Sequence, residues 1–600
     1  MNVVKIFYNN KPVLALIIVF FIASFSIFFF PGYSVVKGDQ VIYLASVFEK
    51  INNISFDRDI LSFFNQSSYT IFDDFLIKSV KYFNIDIFTL LLALSFLIRF
   101  VYFYSIYRIS VHFTSNLGIS IFVVLLTMAG LNVYGTESRT MEIEMVPRMI
   151  SVSISLLALA FTLNKKKFIP EIILSVSLLF HVISTLPFLA IFYLFKLFKE
   201  KEQNNNYFYY IFLILPLFSL VTFTALTKSG GGEMFSLIDS SWENIIKIRD
   251  PYVYISSWNV NSFLYFLVSV GIWFIVLLEH KDFIQNRNRD TQILLSLLFF
   301  VPFIFFLISF IGADVLNFSL ITQLQLSRAL LIWKIFANMF FSLFLFGYFK
   351  KNPEEKSSFF FAIGLLFSFL FKEAFIFVFF PPFFFGWVLR TFNNKPHNFN
   401  GRVVSTIVFI FTLSITFLIL LRRNNIYELM CLFGFLIVIF LISYLYPSLL
   451  ERKKILIPFC LSGFFIVSLF NSQMSFSYKP INFSDKSYME MCRWVKDNTK
   501  TGSLFIVEPF AENSDVFRLL CLRNVFVSDA DGGQVVFNRN YAFEWDRRTN
   551  SSIAAIKDNS LLIDRAKEDS IDYVVSKKSL NIKKPVLFNN SNYYIYGLRE

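Results

Sequence analysis

The sequence contains few charged residues for its length. Only 16% of its 600 residues are Asp, Glu, Lys or Arg, whereas soluble chains carry about 25%. Hydrophobic residues make up 56% of the chain, and the mean hydropathy is +0.59. These values exclude a soluble globular protein and indicate a polytopic membrane protein.

Cysteine is scarce as well, with four residues whose spacing matches no metal-binding motif. Cys431 and Cys460 lie inside apolar runs, where a thiol behaves as a small hydrophobic group. Cys492 and Cys521 lie in the polar C-terminal region and would form a disulfide if that region faces an oxidising compartment. The sequence leaves this pairing open, and it predicts no metal site and no required cofactor.

The formal net charge of +13 would suggest nucleic acid as the partner of a soluble protein. Here the basic residues cluster in short loops between apolar runs, which is typical of membrane topology. If the N-terminus is cytoplasmic, the most basic loops all fall on the cytoplasmic side: 165–167, 195–202, 350–356 and 451–454. Arg422 and Arg423 fall on the outer side and depart from the pattern. We therefore expect a lipid membrane, and no nucleic acid, as a partner.

The apolar runs predict about 13 to 15 transmembrane helices, because a span needs about 20 apolar residues and several runs are shorter. The first run lacks a small-residue cleavage site and is expected to remain as a helix. The runs are 13–31, 86–107, 117–134, 148–164, 168–182, 187–198, 207–226, 260–278, 291–311, 329–349, 357–370, 373–389, 403–421, 427–446 and 455–471.

Three long polar segments lie on the outer face in this topology: 32–85, 227–259 and 472–600. The chain thus divides into a transmembrane domain, 1–471, and an extracytoplasmic domain, 472–600. The latter contains β-prone runs at 503–509, 523–529, 571–576 and 593–598, and helix-like stretches at 485–498 and 551–568. Strands that alternate with helices predict a small α/β domain with a partly parallel sheet.

The first candidate residue is Asp39, in the stretch VVKGDQVIYL at 35–44. Many loops that leave a membrane helix carry an acid, so the residue alone indicates little. Its setting is more specific, because an amphipathic stretch at 70–83 is expected to lie along the membrane interface. Partial desolvation beside lipid would suit a carboxylate to act as a general base on an acceptor hydroxyl.

A second cluster is GTESRTMEIEMVPRM, 135–149. Glu142 and Glu144 are candidates for a second carboxylate, and Glu144 and Arg148 would pair on a helix because they are four residues apart. A structural ion pair is an equal alternative. Arg148 opens a membrane helix at the outer surface, where positive charge is disfavoured, so we expect a specific reason for its presence.

A third group lies at 241–258 and 321–333. Its aromatic residues suit either sugar binding or an interfacial belt, and they are Trp242, Tyr252, Tyr254 and Trp258. Arg249 and Arg328 are candidates for phosphate recognition, because guanidinium groups bind phosphate in bidentate fashion. His181 stands where a helix reaches the outer surface, and it is either a structural residue or part of the site.

The order of these features resembles the GT-C superfamily of polytopic glycosyltransferases. Within it, the chain resembles bacterial membrane proteins with a small outer C-terminal domain. The shared motifs are Gly38-Asp39-Gln40, Pro147-Arg148, His181, Trp242 with Arg249, Pro251, Tyr252 and Trp258, Gln325 with Arg328, and Phe517, Arg518, Arg523, Glu544, Trp545 and Arg547.

The resemblance implies a sugar donor linked to polyprenyl phosphate and a glycan, lipid or protein acceptor in the cell envelope. Asp39 would be the base in a transfer with inversion, and the donor would be bound by Arg148, His181, Trp242, Arg249, Tyr252, Trp258, Gln325 and Arg328. The C-terminal candidates Arg518, Arg523, Glu544, Trp545 and Arg547 would contact sugar or phosphate, with ion pairs inside the domain as an equal alternative. Many GT-C enzymes carry two acids in the first loop, whereas here Gln40 follows Asp39, which argues against a required metal ion at that point.

Three other functions remain open on the sequence. A flippase or transporter of lipid-linked saccharides would share the helix count, but it needs charges along a central path, and the apolar runs hold few besides Arg99 and Lys334. An O-antigen or polysaccharide polymerase or ligase would use outer-loop arginines without needing Asp39. The last alternative is a non-catalytic envelope scaffold. For the enzyme, we expect the bacterial inner membrane, with a cytoplasmic N-terminus and a periplasmic C-terminal domain.

Overall fold

The computed structural model describes residues 11–29, 31–65, 69–128, 130–164, 169–200, 234–283, 288–351, 478–479, 485–511 and 513–599. Within these ranges, five helical segments are long and apolar enough to cross a membrane: Ile87–Thr114, Val182–Lys199, Val260–Leu278, Arg289–Val315 and Ser319–Leu343. Shorter apolar helices accompany them. The architecture is thus largely helical and compatible with a multi-pass membrane protein.

Nine predicted apolar runs coincide with helices of the structure. The α-helices that the structure describes before residue 352 are α1 (Lys11–Phe28), α2 (Gln40–Asn52), α3 (Phe72–Phe83), α4 (Ile87–Thr114), α5 (Leu117–Thr127), α6 (Pro147–Leu163), α7 (Ile169–Phe180), α8 (Val182–Glu200), α9 (Ser240–Arg249), α10 (Val260–Phe283), α11 (Arg289–Ser309), α12 (Ser319–Leu324) and α13 (Leu330–Lys351). The predicted run 207–226 and those from 357 to 471 lie outside the described residues. So do Cys431, Cys460, Arg422 and Arg423.

The buried Arg99 joins three parts of the helical domain. Its guanidinium lies at the centre of the packing around α4 and donates to the carbonyl oxygens of Ser26 at 2.6 Å, Gly32 at 2.7 Å and Ile143 at 3.2 Å. These carbonyls belong to the end of α1, to the loop that follows it, and to the segment before α6. Arg99 therefore ties this outer loop to the bundle, since a buried cation requires such partners.

The loop between α1 and α4 is more ordered than the sequence predicts. The amphipathic stretch at 70–83 forms α3, as expected for its pattern. A second helix, α2, begins directly after Asp39 and buries most of its apolar side chains. Two short pairs of strands complete the outer surface: β1 (Tyr33–Ser34) runs parallel to β4 (Tyr478–Lys479), and β2 (Asn132–Val133) is antiparallel to β3 (Ser138–Arg139).

The C-terminal part forms a small mixed sheet with helices, which confirms the predicted α/β domain. Its strands are β5 (Leu504–Ile506), β6 (Asn524–Val525), β7 (Tyr573–Ser576), β8 (Val586–Asn589) and β9 (Tyr594–Gly597), in the order β6-β5-β7-β9-β8. Its helices are α14 (Lys486–Asn498), α15 (Phe517–Cys521), α16 (Arg539–Lys557) and α17 (Asn559–Glu568). β5 is parallel to both of its neighbours, whereas β9 is antiparallel to both of its own. Strand β8 was not predicted.

A disulfide between Cys492 and Cys521 links α14 to α15. The pairing that the sequence left open is therefore present. Both cysteines are buried within the core of the domain.

The C-terminal domain rests on the outer loops of the helical part. The indole nitrogen of Trp242, on α9, donates to the carbonyl oxygen of Val535 at 2.8 Å. Arg539 pairs with Asp239 at 2.6 Å, and Arg58 pairs with Asp572 at the same distance. The domain thereby covers one end of several helices and closes one side of a cavity there.

Candidate functional site

A cavity of about 190 Å³ lies between the C-terminal domain and the helix ends that face it. Its walls come from the start of α2, the start of α6, the α7–α8 junction, the segment after α9, the segment before α13, and the C-terminal domain. Seven residues that the sequence singled out line it together: Asp39, Arg148, His181, Arg249, Tyr252, Gln325 and Arg328. We call this space the outer cavity.

Asp39 lies in the turn that starts α2. Gly38 has a φ of +55°, in the left-handed region that favours glycine, and this turn places Asp39 directly before the first helical residue. A carboxylate is favoured there by the partial positive charge of the helix N-terminus. The side chain is 52% exposed, and the Arg148 guanidinium lies 3.5 Å away. The sequence predicted a partly desolvated Asp39, whereas in the structure its carboxylate remains open to the cavity.

Gln40 fixes the position of Asp39. Its side chain is fully buried, accepts a hydrogen bond from the backbone N–H of Val36, and donates one to the carbonyl oxygen of Met145 at 3.0 Å. These two bonds tie the turn of Asp39 to the segment that leads into Arg148. Gln40 thus has a structural role, because both its side-chain oxygen and its side-chain nitrogen bond to backbone groups.

Arg148 pairs with Glu142, not with Glu144. Its Nε and Nη2 lie 2.9 Å and 2.8 Å from Glu142 Oε1. The predicted pairing with Glu144 was wrong because α6 begins only at Pro147, so the helical spacing of four residues does not apply. Glu144 instead accepts a hydrogen bond from Ser34 Oγ at 3.5 Å. Burial and the neighbouring Glu142 raise the pKa of Glu144 to about 7.

Neither Glu142 nor Glu144 lines the outer cavity. Glu142 therefore acts on the cavity only through Arg148, which it orients against Asp39. In the part of the chain that the structure describes, no three His, Cys, Asp or Glu side chains are grouped so that they could hold a metal ion.

Arg249 ends α9 and points towards the C-terminal domain. Its Nε and Nη2 donate to the carbonyl oxygen of Asp529 at 3.1 Å and 2.9 Å. A glycine, Gly532, provides the space for this side chain, since a Cβ there would lie 2.4 Å from Arg249 Nε. The position of Arg249 is thus set by the C-terminal domain.

Asp250 was missed by the sequence reasoning. Its side chain is only 1% exposed, and its Oδ1 lies 3.5 Å from Arg249 Nη1. The other oxygen, Oδ2, has no hydrogen-bond partner among the described residues. Burial raises the pKa of Asp250 to about 7, against the opposing effects of Arg249 and Arg328. The only sequence signal was its place between Arg249 and Pro251, in the aromatic-rich outer loop.

Gln325 and Arg328 line the outer cavity from the segment just before α13. Gln325 has a φ of +44° and a buried side chain whose Oε1 has no partner within the described structure. The Arg328 guanidinium lies over the ring of Tyr252, 5.2 Å from its centroid, a favourable cation–π contact. Among the described residues, no carboxylate lies within ion-pair distance of Arg328, and its Nε has no acceptor. Arg328 is thus less neutralised than Arg148 or Arg249.

His181 occupies the junction between α7 and α8. Its Nδ1 accepts a hydrogen bond from the backbone N–H of Ser184 at 3.2 Å, which leaves the proton of the neutral ring on Nε2. Burial lowers the pKa of His181 well below its usual value, and the positive charges of Arg148 and Arg328 lower it further. A neutral histidine at this position can donate a hydrogen bond from Nε2.

The two predicted tryptophans pack within the fold. Trp242 contacts the C-terminal domain as described above, and the indole nitrogen of Trp258 donates to the carbonyl oxygen of Tyr252 at 3.1 Å. Both side chains are buried, and neither lines the outer cavity. Their role is to shape the loop that carries Tyr252, which itself lines the cavity.

The C-terminal candidates make internal contacts and do not line the outer cavity. Arg518 is fully buried between Asp59 and Asp531. Arg523 donates to carbonyl oxygens at the end of α14, and Trp545 donates to that of Ser528. Glu544 pairs with Arg547 and Arg548. Their contacts are therefore ion pairs and hydrogen bonds within the protein, as the structural alternative predicted.

The C-terminal domain instead contributes acids to the outer cavity. Asp515 and Asp529 line it, together with the exposed Glu137 of the helical part. Asp515 also accepts a hydrogen bond from the backbone N–H of Ala530 at 2.9 Å, and burial raises its pKa. The sequence reasoning did not single out Asp515 or Asp529 as ligand contacts, because acids in a polar segment carry no distinguishing pattern.

Residues 486–551 match a family model described as a domain of unknown function, DUF6798. The match runs from α14 into α16 and includes Asp515, Asp529 and Gly532. None of the curated proteins compared with the chain matches it.

Proposed function

We propose that the chain is a membrane glycosyltransferase of the GT-C type that takes its sugar from a polyprenyl-phosphate donor. One observation carries this proposal: a single small cavity at the outer ends of apolar helices combines an accessible carboxylate, Asp39, with three guanidinium groups. The acceptor would be a glycan, lipid or protein of the cell envelope.

In this reaction, Asp39 accepts the proton of the acceptor hydroxyl as its oxygen attacks the anomeric carbon. The bond between that carbon and the phosphate oxygen breaks, the phosphate leaves with the bonding electrons, and the configuration inverts. The accessibility of Asp39 supports this role, because a general base must reach the proton that it removes. Arg148, oriented by Glu142, lies close enough to Asp39 to hold its carboxylate in place.

Arg328 is the best placed cation for the leaving phosphate. Arg148 is already paired with Glu142, and Arg249 donates to the backbone of the C-terminal domain. Arg328 has no comparable partner within the described residues, so its donors remain available for phosphate oxygens. Stabilisation of such developing charge by one donor contributes about 10² to 10³ in rate. His181, through Nε2, can provide a further hydrogen bond.

The size of the outer cavity favours a donor with one sugar. Its volume of about 190 Å³ is smaller than the roughly 300–1,000 Å³ typical of pockets for drug-sized ligands. A monosaccharide phosphate suits this space better than the growing end of a polysaccharide. The prenyl tail would remain between the apolar helices.

We place the cavity and the C-terminal domain on the periplasmic or extracellular side of a bacterial inner membrane, with a cytoplasmic N-terminus. The disulfide between Cys492 and Cys521 supports this orientation, since such bonds persist in oxidising compartments. The basic loops of the sequence support it independently.

The test uses the full-length protein in liposomes with polyprenyl-phosphate-linked monosaccharides. Asp39→Asn should abolish the release of free polyprenyl phosphate without loss of folding, whereas Asp74→Asn, an exposed acid on α3, should leave it unchanged. Arg328→Gln should slow release about 10²- to 10³-fold. Near-normal release by Asp39→Asn would remove Asp39 from the mechanism. Movement of the intact donor across the bilayer, without release of polyprenyl phosphate, would identify a transporter instead.

A further inference from the structure

The outer cavity contains two buried oxygen atoms that lack hydrogen-bond donors. Oδ2 of Asp250 and Oε1 of Gln325 have no partner within the described residues, although the two residues are only 1% and 2% exposed. Buried acceptors without donors are costly, and folded proteins retain few of them. Both residues line the same cavity, so a bound molecule can supply the missing donors.

Resting on the function proposed above, we propose that Asp250 and Gln325 form a specificity subsite that binds two hydroxyl groups of the donor sugar. A hydroxyl both donates and accepts hydrogen bonds. It can therefore donate to one of these acceptors and accept from the unpartnered Nε of Arg328, which lines the same cavity. The ring of Tyr252, held beneath the Arg328 guanidinium, provides an apolar wall for the sugar.

The charges around Asp250 favour a neutral hydroxyl over an ammonium group. Arg249 Nη1 lies 3.5 Å from Asp250 Oδ1, and Arg328 is close enough to act electrostatically on the same carboxyl group. A ligand ammonium at Asp250 would be a third cation beside the two guanidinium groups and would meet repulsion from both, whereas the acids Asp39 and Glu137 act on the same carboxyl group less strongly. We therefore assign the subsite to a sugar with free hydroxyls and without an amino group at the contacted positions.

The backbone holds both acceptors in place before a ligand binds. The N–H of Asp250 donates to the carbonyl oxygen of Ile246 at 2.6 Å, and Pro251 follows directly. Gln325 has the left-handed backbone conformation, which non-glycine residues rarely adopt, and its N–H donates to the carbonyl oxygen of Ile321 at 3.1 Å. Strained residues of this kind cluster at ligand sites, where the surrounding structure maintains them.

The experiment measures the binding of farnesyl-phosphate-linked hexoses and pentoses to the detergent-solubilised full-length protein. The tightest-binding member becomes the parent, and its single-deoxy and amino-deoxy analogues are compared with it. At pH 8, above the raised pKa of about 7 of Asp250, loss of the hydroxyl that contacts its charged carboxylate should weaken binding to the wild type about 10- to 100-fold, and loss of the hydroxyl at Gln325 should weaken it about 3- to 10-fold.

Two variants connect each hydroxyl to its residue. In Asp250→Asn, one deoxy analogue should bind less than about 5-fold more weakly than the parent. In Gln325→Met, another deoxy analogue should bind as tightly as the parent. Asp74→Asn and Gln292→Met, which change exposed residues that do not line the cavity, should preserve both losses of affinity.

The inference about the subsite fails if every single-deoxy analogue binds the wild type within about 2-fold of the parent. This measurement does not depend on the folding of any variant. Tighter binding of an amino analogue than of the parent would also overturn it, because the subsite would then select a cation. If no farnesyl-phosphate sugar binds, the proposed function itself is wrong, and the subsite falls with it.

Discussion

Replacing Gly532 with alanine should displace Arg249 and open the outer cavity on the side of the C-terminal domain. A Cβ at Gly532 would lie 2.4 Å from Arg249 Nε, 2.7 Å from Arg249 Cδ and 2.7 Å from the Trp545 ring. The next glycine is a matched control, since a Cβ at Gly533 would have Ile42 Cδ1 at 3.8 Å as its nearest neighbour. That distance is an ordinary van der Waals contact.

The magnitude follows from the two side chains that must move. Overpacking by a methyl group costs about 1–3 kcal/mol, and displacement of Arg249 would also remove its two hydrogen bonds to the carbonyl oxygen of Asp529. We expect Gly532→Ala to lower the free energy of unfolding of the C-terminal domain by about 2–4 kcal/mol. Gly533→Ala should change it by less than about 0.5 kcal/mol.

The assay is limited proteolysis of the full-length protein in nanodiscs, combined with release of polyprenyl phosphate. Cleavage within the C-terminal domain follows the population of its open form when opening and closing are fast. A destabilisation of about 3 kcal/mol should accelerate cleavage roughly 100-fold. Equal cleavage in the two glycine variants would refute the argument that the C-terminal domain positions Arg249.

Three further predictions concern other parts of the chain. Arg518→Met should destabilise the protein by about 3–5 kcal/mol in thermal unfolding, because two buried carboxylates lose their cation; loss of transfer with unchanged stability would instead indicate a ligand contact. Alkylation of the denatured, unreduced protein should leave Cys492 and Cys521 unlabelled in mass spectra, and replacing both with Ser should cost about 3–4 kcal/mol, since their bond spans a separation of 29 residues. The pKa of Asp250 is raised from 3.8 to about 7 in the folded state, so the folded state holds this proton more tightly and its stability falls as the pH rises through that window. Relative to Asp250→Asn, the wild type should lose about 2–3 kcal/mol between pH 5 and 8, and parallel stability curves would contradict this.

The sequence predicted the helices and the meeting of distant residues because membrane topology restricts where polar groups can lie. Apolar runs predict the helices, and basic loops predict which helix ends share a side of the membrane. Asp39, Arg148 and Arg328 were then expected on the same side of the membrane, although they are far apart in the chain. The structure places them in one cavity.

The sequence could not predict which polar residues pair with which. Glu142, not Glu144, binds Arg148 because the backbone before α6 is extended, and this depends on where the helix begins. Asp59 and Arg518 form a buried pair across 459 residues, which no local pattern indicates. Pairings of this kind follow from tertiary packing, so the alternatives remained open until the structure was known.

The C-terminal domain determines how the charges of the cavity are distributed. Without its two hydrogen bonds to the carbonyl oxygen of Asp529, Arg249 would retain longer ion pairs with the carboxylates of Asp250 at 3.5 Å and Asp529 at 3.4 Å. With Arg249 held by this carbonyl and Arg148 by Glu142, Arg328 remains the cation with the most available donors. Under the proposed function, the C-terminal domain leaves one guanidinium available for a phosphate and lines the sugar site with the acids Asp515 and Asp529. Removal of the Asp529 contact should accordingly spread phosphate binding over two arginines and reduce the dependence of transfer on Arg328.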